Sequence, residues 1–260
     1  LAGVDSNDDP SLQYQLDGQY NERYKELRRG VNTDWLSQPS RIGGSHDHSL
    51  RLSGGASGTR YEINGRFGNT EGVMKDDYRK RYSLGFMLEH YSPKGFSFTN
   101  RTTFSRVDQK DTPYGSFSQY TRMNPYDRIY DELGELKKTL SWDQDNPLYE
   151  ASLGSFNRSS SQSISNDFDA RWNITDYFRF TTHWNITLQD MNSERYLSPL
   201  SGTYKNEPDL SKRGSLSHTN RKGLTYSGNA VVTYNKYFED NSLLSSNLGA
   251  NITKEDLRTA

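Results

Sequence analysis

Residues 165–190 read SNDFDARWNITDYFRFTTHWNITLQD. Phe168, Ala170, Trp172 and Ile174 alternate with Asp167, Asp169, Arg171 and Asn173. After Thr175, Asp176 and Tyr177 the alternation resumes, with Phe178, Phe180, Thr182, Trp184, Ile186 and Leu188 on one side. Arg179, Thr181, His183, Asn185, Thr187 and Gln189 take the other. A period of two means strand, because successive side chains leave opposite faces. Two such runs around a tight turn predict an antiparallel hairpin. Ile174 should face Phe178, Trp172 should face Phe180, and Asp169 should face His183.

The polar side of this hairpin decides what kind of sheet it belongs to. A soluble strand shows water mostly Lys and Glu, whereas this one carries Asn, Thr, Asp, Arg, His and Gln. Each run has about ten residues, longer than the roughly 5–6 typical of soluble strands and close to the roughly 9–11 that cross a bilayer. The pattern predicts a transmembrane β-barrel wall with lipid on one side and a polar lumen on the other.

Composition agrees. The chain has 260 residues, no Cys and a formal net charge of −1. Disulfides and Cys-ligated metals are excluded, and no net basic charge invites nucleic acid. Only 31% of residues are hydrophobic, too few for an ordinary core, yet 13% are aromatic, too many for disorder. Few aliphatics with many aromatics suit a barrel with aromatic girdles. No apolar run approaches the ~18 residues of a transmembrane helix. The sequence opens Leu-Ala-Gly-Val and ends in a strand pattern, and it reads as an internal piece of a longer polypeptide.

Working outward, Asp9-Pro10 is a helix start, with Leu16, Tyr20, Tyr24 and Leu27 at helical spacing and Gly30 as the stop. That Tyr-Leu stripe needs a surface to dock on. Period-two runs then predict strands over 46–54, 59–68, 81–91, 96–107, 223–235 and 242–252, beside the hairpin already described. In the 96–107 run, Asn100 and Thr102 interrupt the apolar side. Residues 131–140 are expected as a short helix inside the 108–159 connection. The connections alternate short, long, short, very long, short, long, short, which puts tight turns on one rim and large loops on the other.

Several stretches resemble one family. They are Asn32-Thr33-Asp34-Trp35, the run from His48 to Gly55, Tyr61, and Glu71-Gly72-Val73. Arg81 to Leu84, Asn124-Pro125-Tyr126 and Asn146-Pro147-Leu148-Tyr149 join them. In order and spacing they are similar to the SusC/RagA family of TonB-dependent outer-membrane transporters, typical of Bacteroidetes-type bacteria. The resemblance runs from about Asn32 to Ile252. It implies an all-β fold: about eight strands of an antiparallel, 22-stranded plugged barrel in a Gram-negative outer membrane, with a short helix near the N-terminus. Residues 1–44 would be an extracellular loop with a helix at about 10–29. Residues 45–260 would be barrel segment, with long extracellular loops 108–159 and 191–221. It implies nutrient import, of an oligosaccharide in preference to a peptide, with a SusD-like lipoprotein as lid. TonB would act through an N-terminal region absent from this sequence.

The residues themselves allow few chemical roles. His46 and His48 share a face but lack a third ligand, so no metal site is assigned. Glu62, Asp167 and Asp169 read as lumen polarity balanced by Arg60, Arg66, Arg171 and Arg179, so no catalytic residue and no cofactor is assigned. Tyr114, Tyr120, Tyr126 and Trp142 could stack on sugar rings or grip peptide side chains, or pack loop on loop. Together with Arg60, Arg66 and His183 they are the substrate-binding candidates. The other readings are a passive outer-membrane barrel and a soluble secreted β-sandwich or carbohydrate-binding module, whose apolar faces would meet in a dry core.

Overall fold

A computed structural model describes residues 10–259. Asp9, the expected N-cap, lies outside them. Helix α1 spans Pro10–Arg28, followed by strands β1 Gly44–Ala56, β2 Thr59–Glu71, β3 Tyr78–Tyr91 and β4 Phe96–Lys110. Short helices α2 Phe117–Tyr120 and α3 Pro147–Ser152 lie in the long connection. Strands β5 Phe156–Asn173, β6 Phe178–Leu197, β7 Ser215–Tyr237 and β8 Leu243–Thr259 complete the chain. All eight strands form one antiparallel sheet in chain order, and β1 and β8 are its two edges. No second sheet covers it among the described residues, which removes the β-sandwich reading.

The register at the central hairpin is as the turn predicts. Trp172 faces Phe180 and Asp169 faces His183, and the Ile174 amide donates to the Phe178 carbonyl at 2.9 Å. Every seam keeps one continuous register from end to end, so each strand holds a single face assignment along its length. At the β1–β2 turn the chain reverses over Ser57 and Gly58 alone, with φ of 50° and 80°, the left-handed pair that suits a two-residue hairpin.

Strands run further than alternation indicates. The connections occupy only 72–77, 111–155 and 198–214 on the loop rim, because the polar ends of β5, β6 and β7 still pair. No polarity contrast marks those extensions: Ser159, Ser160, Ser161 and Ser163 are polar on both faces. Residues 131–140 form no helix. The Asp131 carboxylate instead accepts from the Leu133 and Glu135 amides at 2.8 and 2.9 Å, and Gly134 takes φ of 83°. Such local side-chain bonding competes with helix formation.

One face of the sheet is an apolar band. Phe104, Ile164, Leu188 and Leu224 are successive cross-strand partners. Across β4 to β8 the next row on that face, Arg106, Gln162, Asp190, Lys222 and Arg258, is polar, while β3 and β2 continue it with Tyr82 and Phe67. Towards the turns the band ends in aromatics: Phe96, Trp172, Phe178, Phe180 and Tyr234, with Phe178 and Tyr234 rings 4.9 Å apart. Along β6 it runs from Phe178 to Leu188, roughly 33 Å of strand at about 3.3 Å per residue. At a barrel tilt near 40° that is about 25 Å of height. The band stays uncovered, with Trp184 at 41% and Leu188 at 51% exposure.

A polar cluster interrupts it on the β4–β5 seam, and at the β8 edge Lys254 and Asp256 stand across from Tyr226 and Leu224 on the same face. Asn100 and Asn166 form a reciprocal amide pair at 3.2 and 3.1 Å, and Asn166 Nδ2 also donates to Thr102 Oγ1 at 2.8 Å. The cluster lies on the β4–β5 seam, whose connection is the longest among the described residues.

Helix α1 ends in a Schellman pattern: the Val31 amide donates to the Glu26 carbonyl at 3.1 Å and the Gly30 amide to the Leu27 carbonyl at 3.0 Å. Its Tyr-Leu stripe does not dock. Tyr20, Tyr24 and Leu27 are exposed. Polar side chains hold the helix instead, through Glu26 to Arg128 at 2.8 Å and Arg29 to Glu132 at 3.1 Å. No described helix is long and apolar enough to cross a membrane.

Candidate functional site

Two surfaces collect the polar and aromatic chemistry: a cap built from the loops, and the polar face of the sheet. The cap has the hydrophobic core of the described residues. Trp35, Tyr120, Met123 and Leu140 are buried together, with Met74, Tyr114, Ile129 and Leu148 packed around them. These residues come from the segment before β1, the β2–β3 loop and the 111–155 loop, so three distant stretches fold as one unit.

Its polar joints are the motifs that stood out in the sequence. Thr33 Oγ1 donates to the Asp127 carbonyl at 2.7 Å, the Thr33 amide to the Pro125 carbonyl at 2.7 Å, and Trp35 Nε1 to the Asn124 carbonyl at 2.9 Å. Arg41 donates to the carbonyls of Gly72 and Asp77 at 3.1 and 2.8 Å, clamping the β2–β3 loop. Asn146, fully buried, caps α3 by accepting from the Leu148 amide at 3.0 Å. Its Nδ2 donates to the Lys137 and Ile129 carbonyls at 2.8 and 3.3 Å. The 198–214 loop joins through Glu150, which accepts from Ser201 Oγ and the Gly202 amide at 2.7 and 2.8 Å. At the cap's edge the Arg29 hydrogen bond holds the Glu132 carboxyl below the usual carboxylate range.

The aromatic candidates divide within this cap. Tyr120 is 1% exposed and serves the core, and burial pushes its phenol upward. Tyr114 packs half-buried against that core, while Tyr126 stays exposed. Trp142 sits in a 3-10 turn over 141–143, and its side chain lies outside the described parts.

The charged candidates lie elsewhere, on the polar face. Arg60 reaches Glu62 and Glu89, each at 3.7 Å, and Arg66 reaches Asp47 at 3.4 Å. His183 Nδ1 is 2.8 Å from Asp169 Oδ1. Arg60 and His183 occupy one transverse row four strands apart, roughly 19 Å at about 4.8 Å per strand. The fold therefore does not gather the seven candidates into one pocket. The carboxylates are engaged as well: Glu62 pairs with Arg51 at 3.1 Å, and Asp167 accepts from Asn185 Nδ2 at 2.7 Å. His46 and His48 do share a face, and their rings pack around Phe67. Among the described residues no cluster of three or more metal-ligating side chains occurs.

Side-chain direction sorts the cations in a way composition hides. All five strand lysines, Lys80, Lys110, Lys222, Lys236 and Lys254, lie on the apolar-band face. Most strand arginines lie on the polar face, including Arg51, Arg79, Arg81, Arg101 and Arg221. Parity counting along each strand could have found this, since it needs only the period.

No protein-family model matches the chain, and no curated protein sequence matches it. Solved structures do. The chain is similar to the structure of the RagAB peptide transporter, with TM-score 0.65 and 14% identity over 88% of this chain and 27% of that one. The RagAB peptide importer in its "closed-closed" state gives TM-score 0.62 at 14% identity, over 88% of this chain and 30% of that one. Its "open-open" state gives 0.63 at 12% identity, with the same coverages of 88% and 30%. At such identities the likeness is one of fold: the sheet is an all-β barrel segment. The chain spans less than a third of those chains' length.

Proposed function

We propose that this chain is part of a TonB-dependent outer-membrane transporter of the SusC/RagA type, importing a nutrient oligomer. The observation that carries the reading is the uncovered apolar band, about 25 Å tall along β6, edged by aromatics below and, across β4 to β8, by a polar row above. Such a face is stable against hydrocarbon and sticky in water. The polar face then lines a lumen, the tight turns lie on the periplasmic side, and the loop cap stands outside the cell. The cap is where a SusD-like lipoprotein would seat and hand over an oligosaccharide or peptide. TonB would act through parts of the polypeptide outside this sequence. The role is transport rather than catalysis, in keeping with Glu62, Asp167 and Asp169, each held by a basic or amide partner.

The test is to express the polypeptide that carries this sequence in a Gram-negative host and fractionate the cells. The protein should extract with the outer membrane. Uptake of labelled oligosaccharides or peptides should stop when TonB is removed. Recovery as a detergent-free soluble monomer would refute the membrane reading, and uptake indifferent to TonB would make the barrel a passive one.

A further inference from the structure

The polar face is not uniform along its height. Three transverse rows nearest the loops can be followed across β1 to β7 by cross-strand pairing: Ser49 to Gly223, Asp47 to Arg221, and Ser45 to Thr219. They hold four arginines, Arg66, Arg79, Arg81 and Arg221, and one carboxylate, Asp47. Most of the remaining positions are hydroxyls, among them Ser83, Ser105 and Ser163, the last two 2.8 Å apart through their Oγ atoms. The three rows below, followed to β8, reverse the balance. Arg51, Arg60 and Arg101 there meet Glu62, Glu89, Asp167, Asp169 and Glu255.

In the lower rows carboxylates outnumber arginines, and Arg51 and Arg60 pair with Glu62 and Glu89, whereas Arg101 reaches Met87 Sδ; in the upper rows arginines outnumber carboxylates four to one. Asp47 reaches Arg66 at 3.4 Å, and no carboxylate lies within ion-pair distance of Arg79, Arg81 or Arg221 among the described residues. Arg79 and Arg81 are exposed on that face. The choice of cation also matters. Lysine would supply charge alone, whereas a guanidinium offers a planar fork that matches a carboxylate with two parallel hydrogen bonds. A concave wall of one sign focuses field and concentrates ions of the other sign.

We propose that the loop-side half of the polar face is an anion-recognising collar, and that the ligand of this barrel carries carboxylates. The inference rests on the transport reading above. The arginines supply bidentate contacts and the surrounding serines supply further donors. The acid-rich rows below keep the anion from being held by an unbroken column of cations.

The experiment uses the complete polypeptide that carries this sequence, purified in detergent, and two pairs of probes. Trigalacturonate is compared with its methyl ester, and tri-aspartate with tri-asparagine. The collar predicts that the acid binds at least tenfold tighter than its neutral partner in one or both pairs, and that the preference shrinks with added salt. The pair that shows it tells a sugar acid from an acidic peptide. Arg66→Gln, Arg79→Gln and Arg81→Gln together should abolish the preference, while Arg81→Lys alone should lower it only in part. Equal affinity for acid and neutral probes, or no binding of any of the four, overturns the inference. So does an equal loss for both members of a pair in the triple variant, which would mean that the arginines hold protein and not ligand. TonB-dependent uptake without charge preference sinks the collar and leaves transport standing. Charge-selective binding without energised uptake does the reverse.

Discussion

Asn166→Leu tests the apolar-band assignment at the polar cluster of the β4–β5 seam. Asn166 takes part in three side-chain hydrogen bonds: it accepts from Asn100 at 3.2 Å and donates to Asn100 at 3.1 Å and to Thr102 at 2.8 Å. In a bilayer such side-chain bonds are worth about 0.6 kcal/mol each on average and up to about 1.7. Losing three costs about 2 kcal/mol, roughly a thirtyfold rise in the unfolding constant. The cost arises because the Asn100 amide is left facing hydrocarbon without a partner. Asn100→Leu/Asn166→Leu removes both amides, so the double variant should recover most of that loss and leave Thr102 alone. The two bonds shared by the pair put the coupling between the two positions at about 1.2 kcal/mol or more, read by a double-mutant cycle in urea unfolding from phospholipid bilayers. If this face met water instead, each amide would be solvated in the single variants and the coupling would fall below about 0.5 kcal/mol. A double variant no more stable than Asn166→Leu would refute the argument.

Further substitutions probe the two faces and the cap. Trp184→Arg should cost about 2–4 kcal/mol if its ring lies near the bilayer midplane, whereas His183→Arg, one residue away on the polar face, should be nearly neutral; comparable folded yields in bilayers would reverse the face assignment. Tyr120→Phe should be neutral or stabilising by about 1 kcal/mol, since the buried hydroxyl meets no hydrogen-bond partner among the described residues. Burial raises that phenol's pKa, so the unfolded chain loses its proton first and the wild-type cap loses stability as pH climbs above about 10. Tyr120→Phe should remove that part of the alkaline loss, as measured by thermal unfolding across pH. Asn146→Ala strands two half-buried carbonyls and an amide, costing about 2–4 kcal/mol, and should open the 111–155 loop to protease while the sheet stays intact.

What the sequence determined alone was everything set by neighbours a few residues apart. Alternation from Phe168 to Leu188 fixes strand and face, and the tight turn at Ile174 to Tyr177 leaves one register that keeps Trp172 with Phe180. The apolar band follows, because each strand's own period declares which side is dry. The rest depended on partners that no local pattern links. Asn100 reads as a flaw in its strand until β5, 45 connecting residues later, brings Asn166 beside it. The motifs at Thr33, Asn124 and Asn146 name no contact by themselves. Their carbonyl and amide partners lie across loops, and closing those loops costs entropy that only the packed cap core around Trp35 and Tyr120 repays. Tyr120 and Tyr126 look alike in sequence, yet one is core and the other surface, since burial is decided by what packs from elsewhere. The arginine collar has the same origin. Arg66 and Arg81, 15 residues apart, reach adjacent rows on neighbouring strands only when β2 and β3 pair in register, and Arg221, 140 residues beyond Arg81, joins the Arg81 row four strands further on.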